Sequence, residues 1–436
     1  MRNFTEDTTF HGIKNFSKSG ISIWRRLIWL IVILGMLSFS IYVIVQAVTT
    51  FLQFNTVTSV YQIFHDKLEF PTLHICNFNV ERTNAMDEHY PDIVDFHRDH
   101  FSFMPDANFS RRLRNIKLTQ FYADIGFSID EMFVHCSFSE QNRSFNCSDF
   151  LTPHYYFGLC YNLNSHDIIK KHGDLYVHQS GIFDGITLVL NVAPDQYTSF
   201  SYGGGHGFFI SLYDPTYIWP DESNHVAISL GSHTFVAIEK QTRKIRSKPY
   251  AKESCKNEKH GRVSKAACIA KCLYERAFTF LPNCSCDVHA IAGEKECTLY
   301  DFYFCSYPYN DLTDKSKEIE KCPCKNLCSE TYYNYFVSTS DFPNKGVIST
   351  SRNENWTYQN MSSIKDNYAS VQIYFRSLTE TVTDEKPEMT SIQLIGNIGG
   401  SLGLCVGASL ITLVEVFELF WLCCHKLFCK RDVYPK

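Results

Sequence analysis

The residues best placed to do chemistry lie near the carboxyl end, where the uncharged run Ile398 to Val414 (IGGSLGLCVGASLITLV) is bracketed by Gly396 and Asn397 on one side and Glu415 and Glu418 on the other. Gly396, Gly399, Gly400, Gly403, Gly407, Ala408 and Ser409 are all small. Small side chains let helices approach closely, and glycine lets a backbone leave helical geometry. Glu415 follows Ala408 by seven residues, about two helical turns, so small residues and acid share one face. A carboxylate in such a run must face water or a partner. Rings of carbonyls, hydroxyls and carboxylates select cations. The stretch can therefore line a cation path, with Gly407 and Ser409 at a constriction and Glu415 and Glu418 at its cytoplasmic mouth. Helix packing alone is the competing explanation of the glycines.

The second reactive set is the cysteines. Of 18, those at 76, 136, 147, 160, 255, 268, 272, 284, 286, 297, 305, 322, 324 and 328 lie in the middle of the chain. A dense, even set implies disulfides in an oxidising compartment. Cys268 and Cys272 are four apart, as are Cys324 and Cys328, which predicts two helices, each presenting one pair on one face. Zinc is the rival reading, because Cys284–Cys286 and Cys322–Cys324 offer thiolate pairs; we expect no metal and no cofactor. Glycosylation sequons stand at Asn108, Asn142, Asn355 and Asn360, with two more beside cysteines at Asn146 and Asn283.

These residues must be positioned by 436 residues with a hydrophobic share of 44% and a formal charge of -5. The small charge and the lack of a long basic run point away from nucleic acid. Leu27 to Phe51 has no charged residue and exceeds the ~20 apolar residues that cross a bilayer. It is too long for a signal peptide and is followed by no cleavage site. The glycine-rich stretch, continuing into FWLCC, reads as a second span. Lys14, Lys18, Arg25 and Arg26 precede the first span, and Lys426, Lys430 and Arg431 follow the second, so both termini are expected in the cytosol.

The expected organisation is a cytosolic segment 1–26, a first span 27–51, an extracellular domain 52–391, a second span with filter 392–427, and a cytosolic tail 428–436. Gly185–Val192, His225–Leu230, Thr234–Glu239 and Ala369–Arg376 read as strands, and 81–154 as a mixed helical insertion. Two helices cannot enclose a water path, so a pore needs several copies.

On these residues the chain resembles the degenerin, epithelial sodium channel and acid-sensing channel superfamily, also called the amiloride-sensitive sodium channel family. NIGGSLGLCVGASLITLVE at 397–415 is similar to its second transmembrane signature, with Gly407-Ala408-Ser409 as the selectivity filter. FPTLHICN at 70–77 resembles its segment after the first span, His11-Gly12 its amino-terminal gating dipeptide, and CPCKNLC at 322–328 the end of its thumb. The resemblance implies an α+β membrane protein with two transmembrane helices per subunit and a disulfide-rich ectodomain of palm, finger (about 81–154), β-ball, knuckle and thumb (about 255–328). It implies a homo- or heterotrimer in the plasma membrane that conducts sodium ions, and no enzyme. It also implies the pairing Cys76–Cys160, Cys136–Cys147, Cys255–Cys328, Cys268–Cys324, Cys272–Cys322, Cys284–Cys305 and Cys286–Cys297.

Where acid-sensing members carry a His pair outside the first span, this chain has Asn55-Thr56; their Asp before Ile-Gly-Gly is Asn397, and their paired acid at the finger edge is Asp195-Gln196. Neither Asn55 nor Thr56 titrates. Together with a short finger, 59 residues between Cys76 and Cys136, this resembles compact invertebrate members, including cnidarian ones, several of which open on amidated neuropeptides. The expected stimulus is therefore an extracellular ligand, an amidated peptide ahead of protons; His65, His74 and His206 are the titratable groups that favour protons. Other classes fit less well. A two-span adhesion or scavenger receptor needs no Gly-Ala-Ser, an ATP-gated channel needs a basic triphosphate pocket, and an ectoenzyme needs a nucleophile and base that no motif here supplies.

Overall fold

A computed structural model of the chain describes residues 22–98, 107–138, 147–155, 158–173, 175–198, 204–221, 224–258, 262–281, 284–287, 295–306, 308–309, 313–344, 361–407, 409, 414, 417, 420, 421 and 424. The chain divides into two compact units, one of residues 1–59, 246–252 and 385–436, the other of 60–245 and 253–384.

The smaller unit holds helix α1 (Ile23–Leu52, 30 residues). It is apolar on all sides and exposes Ile28, Ile31, Leu34, Phe39 and Tyr42, a surface that water does not tolerate and lipid does. α1 is the one helix among the described residues long and apolar enough to cross a membrane. The second apolar helix, α8 (Ser391–Val406), has 16 residues, short of the ~20 a span needs, because it ends at Gly407. Its start is fixed by a capping box: Gln393 N–H donates to Thr390 Oγ1 at 3.2 Å and Thr390 N–H to Gln393 Oε1 at 2.8 Å, satisfying two otherwise orphaned donors. Helical geometry is described again at Val414, Phe417, Phe420, Trp421 and Cys424.

The larger unit is built on two sheets. One runs in the order β12 (Ser329–Asp341), β11 (Ser232–Lys244), β13 (Tyr368–Pro387), β8 (Gly185–Asn191) and β4 (Phe133–Phe138), with β1 (Thr56–Phe64) also pairing β13. The other runs β10 (His225–Ser229), β9 (Gly207–Tyr213), β3 (Thr72–Asn77), β6 (Leu159–Leu163) and β5 (Leu151–Tyr155). A small ribbon joins β2 (Leu68–Glu69) to β7 (Tyr176–Val177). The period-2 pattern places Thr234, Val236 and Ile238 on the buried face of β11. Val236 and Ile238 pack with Leu73 and Ile75 of β3, Leu188 of β8, and Val371 and Phe375 of β13 in one apolar cluster shared by both sheets. β11 and β13 are long and parallel; strand runs at 234–239 and 369–376 therefore capture only the first half of each.

The insertion is largely helical: α2 (Thr83–His89), α3 (Pro91–Arg98), α4 (Ala107–Asn115) and α5 (Leu118–Ile125). Leu113, Leu118, Phe121 and Tyr122 of these helices share a second core with Tyr274, Ala277 and Phe278 of α6 (Lys265–Ala277) and its following turn. Ser264 caps α6, accepting from the Ala267 N–H at 3.0 Å.

Candidate ion-conduction site

Within the smaller unit α1 and α8 pack together, and Ser40 Oγ lies 3.1 Å from Ser401 Oγ. Ser40 is fully buried on a helix whose other described residues, Ala47 apart, are exposed or half-buried. Gly396, Gly400 and Gly403 recur at intervals of four and three, one face of α8. A Cβ built at Gly396, Gly399 or Gly400 meets no atom within 4 Å, so packing inside one chain does not account for these glycines. Asn397 is exposed beside them.

The helix stops at the Gly-Ala-Ser triplet. Gly407 has φ 70° and ψ 17°, and its N–H donates to the carbonyl of Gly403 at 3.1 Å. This left-handed terminal residue favours glycine because any Cβ would crowd the neighbouring carbonyl. Past it, Ser409 is exposed and outside helical geometry. A helix end leaves its last carbonyls without intrahelical donors, and carbonyl oxygens are groups that ligate cations. Ala408, Glu415 and Glu418 lie outside the described residues, as do His11, Gly12 and the sequons at Asn142, Asn355 and Asn360. Asn108 lies near the start of α4 and is exposed.

The chain leaving α1 passes Phe54, whose φ of 52° is unusual for a bulky residue. Its ring meets Tyr250 edge-on at 5.6 Å. In the same unit the Glu388 N–H donates to the Asn55 carbonyl at 2.9 Å, tying the segment after α1 to the segment before α8.

Disulfides join Cys76–Cys160, Cys255–Cys328, Cys268–Cys324, Cys272–Cys322, Cys284–Cys305 and Cys286–Cys297. Cys136 is also disulfide-bonded, and the side chain of Cys147 lies outside the described residues. The pairing consumes the thiolates that a zinc site would need. Cys268 and Cys272 ride one face of α6, but Cys322, Cys324 and Cys328 do not form the expected second helix. They follow α7 (Lys315–Glu320) in irregular chain, where Pro323 has no N–H to give a helix.

Three ionisable sites in the larger unit lay beyond reading by motif. His65 Nε2 is 3.0 Å from Glu380 Oε2, linking the end of β1 to β13. Burial pushes the Glu380 carboxyl up, but hydrogen bonding by Thr242, the Lys240 charge and His65 outweigh it and hold the carboxyl below its ordinary value. Glu81, buried at the foot of the insertion, has its carboxyl pushed up to about 7 by desolvation. Buried Tyr122 and Tyr303, themselves raised by burial, feel its charge. His74 lies in the β-sheet core, with Nδ1 2.6 Å from Asn162 Oδ1 and Nε2 3.2 Å from Cys76 Sγ. Gln196 Nε2 donates to Asp195 Oδ2 at 3.0 Å, and the His206 ring lies 4.6 Å from that of Tyr197.

Residues 4–419 match the sequence profile of the amiloride-sensitive sodium channels. The chain is 25% identical to the bile acid-sensitive ion channel of Mus musculus over 445 residues, covering 96% of this chain and 87% of that one. It is 25% identical to acid-sensing ion channel 1C of Danio rerio, covering 96% and 82%, and to acid-sensing ion channel 2 of Rattus norvegicus, covering 96% and 85%. A solved proton-activated chloride channel aligns over 90% of the chain with a TM-score of 0.35 and 7% identity, too little to bear on function.

Proposed function

The chain belongs to the amiloride-sensitive sodium channel family, whose members are ion channels and not enzymes, and we propose that three copies of it form a sodium-permeable, amiloride-sensitive pore opened by an extracellular ligand. The observation that carries this reading is the helix break at Gly407, with Ser409 exposed just beyond it. In a threefold assembly the triplet Gly407-Ala408-Ser409 forms the constriction. Gly396 and Asn397 line the outer mouth and Glu415 and Glu418 the inner one. The second span continues past Gly407 through 414–424, both termini face the cytosol, and His11-Gly12 contributes to gating. Cys136 pairs with Cys147, and Asn108, Asn142, Asn355 and Asn360 are candidate glycosylation sites.

An amidated peptide is the favoured stimulus, since Asn55, Thr56 and the Asp195-Gln196 pair remove groups that would titrate. A proton-gated channel is the second reading. It is favoured by the names of the acid-sensing relatives and by the His65–Glu380 contact, because imidazole is the side chain that ordinarily gains its charge between pH 5 and 8. The bile acid-sensitive relative adds amphipathic anions to the ligands worth applying. The test is whole-cell recording of the chain, alone and with sister subunits, during steps to pH 5 and application of amidated peptides. Amiloride-blocked current on peptide supports the first reading. Current on acid with none on any peptide replaces it with the second.

A further inference from the structure

A cleft of about 690 Å³ opens where the chain leaves α1, in the size range of small-molecule sites. Phe54, Asn55, Pro249, Tyr250, Lys252 and Glu388 are among the residues that line it, all within the smaller unit. Its height relative to a bilayer follows from α1. If hydrocarbon begins after Arg26, about 20 residues cross it and the last six of α1 rise a further ~9 Å, to the outer edge of a headgroup layer ~5–8 Å deep. Residues 53–57 then stand at the outer edge of the headgroup layer, the level at which a lipid's terminal headgroup atoms meet water.

The lining carries both signs of charge beside aromatic surface. An anion alone would meet Glu388, and a cation alone would meet Lys252. A zwitterion satisfies both, and a quaternary ammonium is the cation that aromatic faces hold best. We propose that this cleft binds the phosphocholine headgroup of an outer-leaflet lipid, with choline against Phe54, Tyr250 and Glu388 and phosphate on Lys252. The site joins the segments that enter and leave the two helices, so its occupancy bears on how they move.

The inference rests on α1 crossing the bilayer with its carboxyl end outward. It is tested on the full chain in vesicles containing phosphatidylcholine with a photoactivatable headgroup, against a phosphatidylglycerol probe of the same build. An acyl-chain probe reports separately whether α1 lies in lipid. The expected result is labelling at 53–57 and 249–252 at least fivefold stronger with the choline probe. That preference falls at least fivefold in Glu388→Lys and Lys252→Glu, both exposed positions whose substitution spares the fold, persists in Tyr250→Phe, and is undiminished by millimolar free phosphocholine. Equal labelling by both probes, or an unchanged preference in both charge variants, overturns the proposal. Complete displacement by free phosphocholine overturns the lipid as its source. If the acyl probe labels α1 and the cleft stays unlabelled, the span stands and this site does not.

Discussion

Ser40 and Ser401 share a hydrogen bond of 3.1 Å between α1 and α8, and Ser40 is the fully buried polar group on a helix that otherwise faces outward. In hydrocarbon neither hydroxyl has water to fall back on, yet such interhelical bonds are worth only about 0.6 kcal/mol on average by double-mutant cycles. We expect Ser40→Ala and Ser401→Ala each to change channel open probability modestly and to be non-additive in combination. Additive effects in single-channel recordings would show that the two hydroxyls act independently.

At Gly396 the prediction separates folding from gating. A Cβ added there meets no atom within 4 Å, so Gly396→Cys should fold and reach the cell surface. A bulky thiol adduct then crowds neighbouring copies and holds the pore open. A surface-expressed variant that is modified, as shown by mass, and stays silent would remove Gly396 from the outer mouth.

The first apolar helix was legible because its signal is compositional: a charge-free run of more than ~20 apolar residues specifies it. In the glycine-rich stretch composition showed only that the backbone could leave helical geometry, since several glycines compete for the left-handed position that Gly407 takes. The cysteine pairing was legible only through family resemblance, since spacing suggested a second helix where Pro323 and the short Cys322–Cys324 interval instead give irregular chain. The His65–Glu380 contact joins residues 315 apart, and the environment of Glu81 is made by Tyr122 and Tyr303. No local pattern encodes such meetings, because sheet register and tertiary burial create them.

Glu81 gives a pH prediction with a definite sign. Its folded carboxyl titrates at about 7 against an ordinary 4.5, so the folded state favours the protonated form. The stability this group contributes is full below about pH 4.5 and is lost as pH rises through 7, a change of at most about 3 kcal/mol. Glu81→Gln should therefore raise the melting temperature at pH 8 and leave it nearly unchanged at pH 4.5. Equal shifts at both values, by scanning calorimetry of the solubilised channel, would contradict the assignment.

On the cytosolic side, Gly12→Ser should lower current without lowering surface protein, as the match of His11-Gly12 to the family's gating dipeptide implies. Unchanged current, measured beside surface biotinylation, would return both residues to a role outside gating.

The most direct measurement is the reversal potential under opposed sodium and potassium solutions, for the wild-type channel and for Gly407→Ala and Ser409→Cys at matched surface expression. Gly407 sits at φ 70°, where a Cβ costs roughly 1–2 kcal/mol, so Gly407→Ala must re-aim the backbone at the helix end, and Ser409→Cys replaces a hard oxygen with sulfur. The account predicts a sodium-selective wild-type current and a reversal potential displaced toward the potassium equilibrium value in both variants. Full-sized currents with identical reversal potentials in all three channels would contradict it and place the selectivity filter elsewhere in the chain.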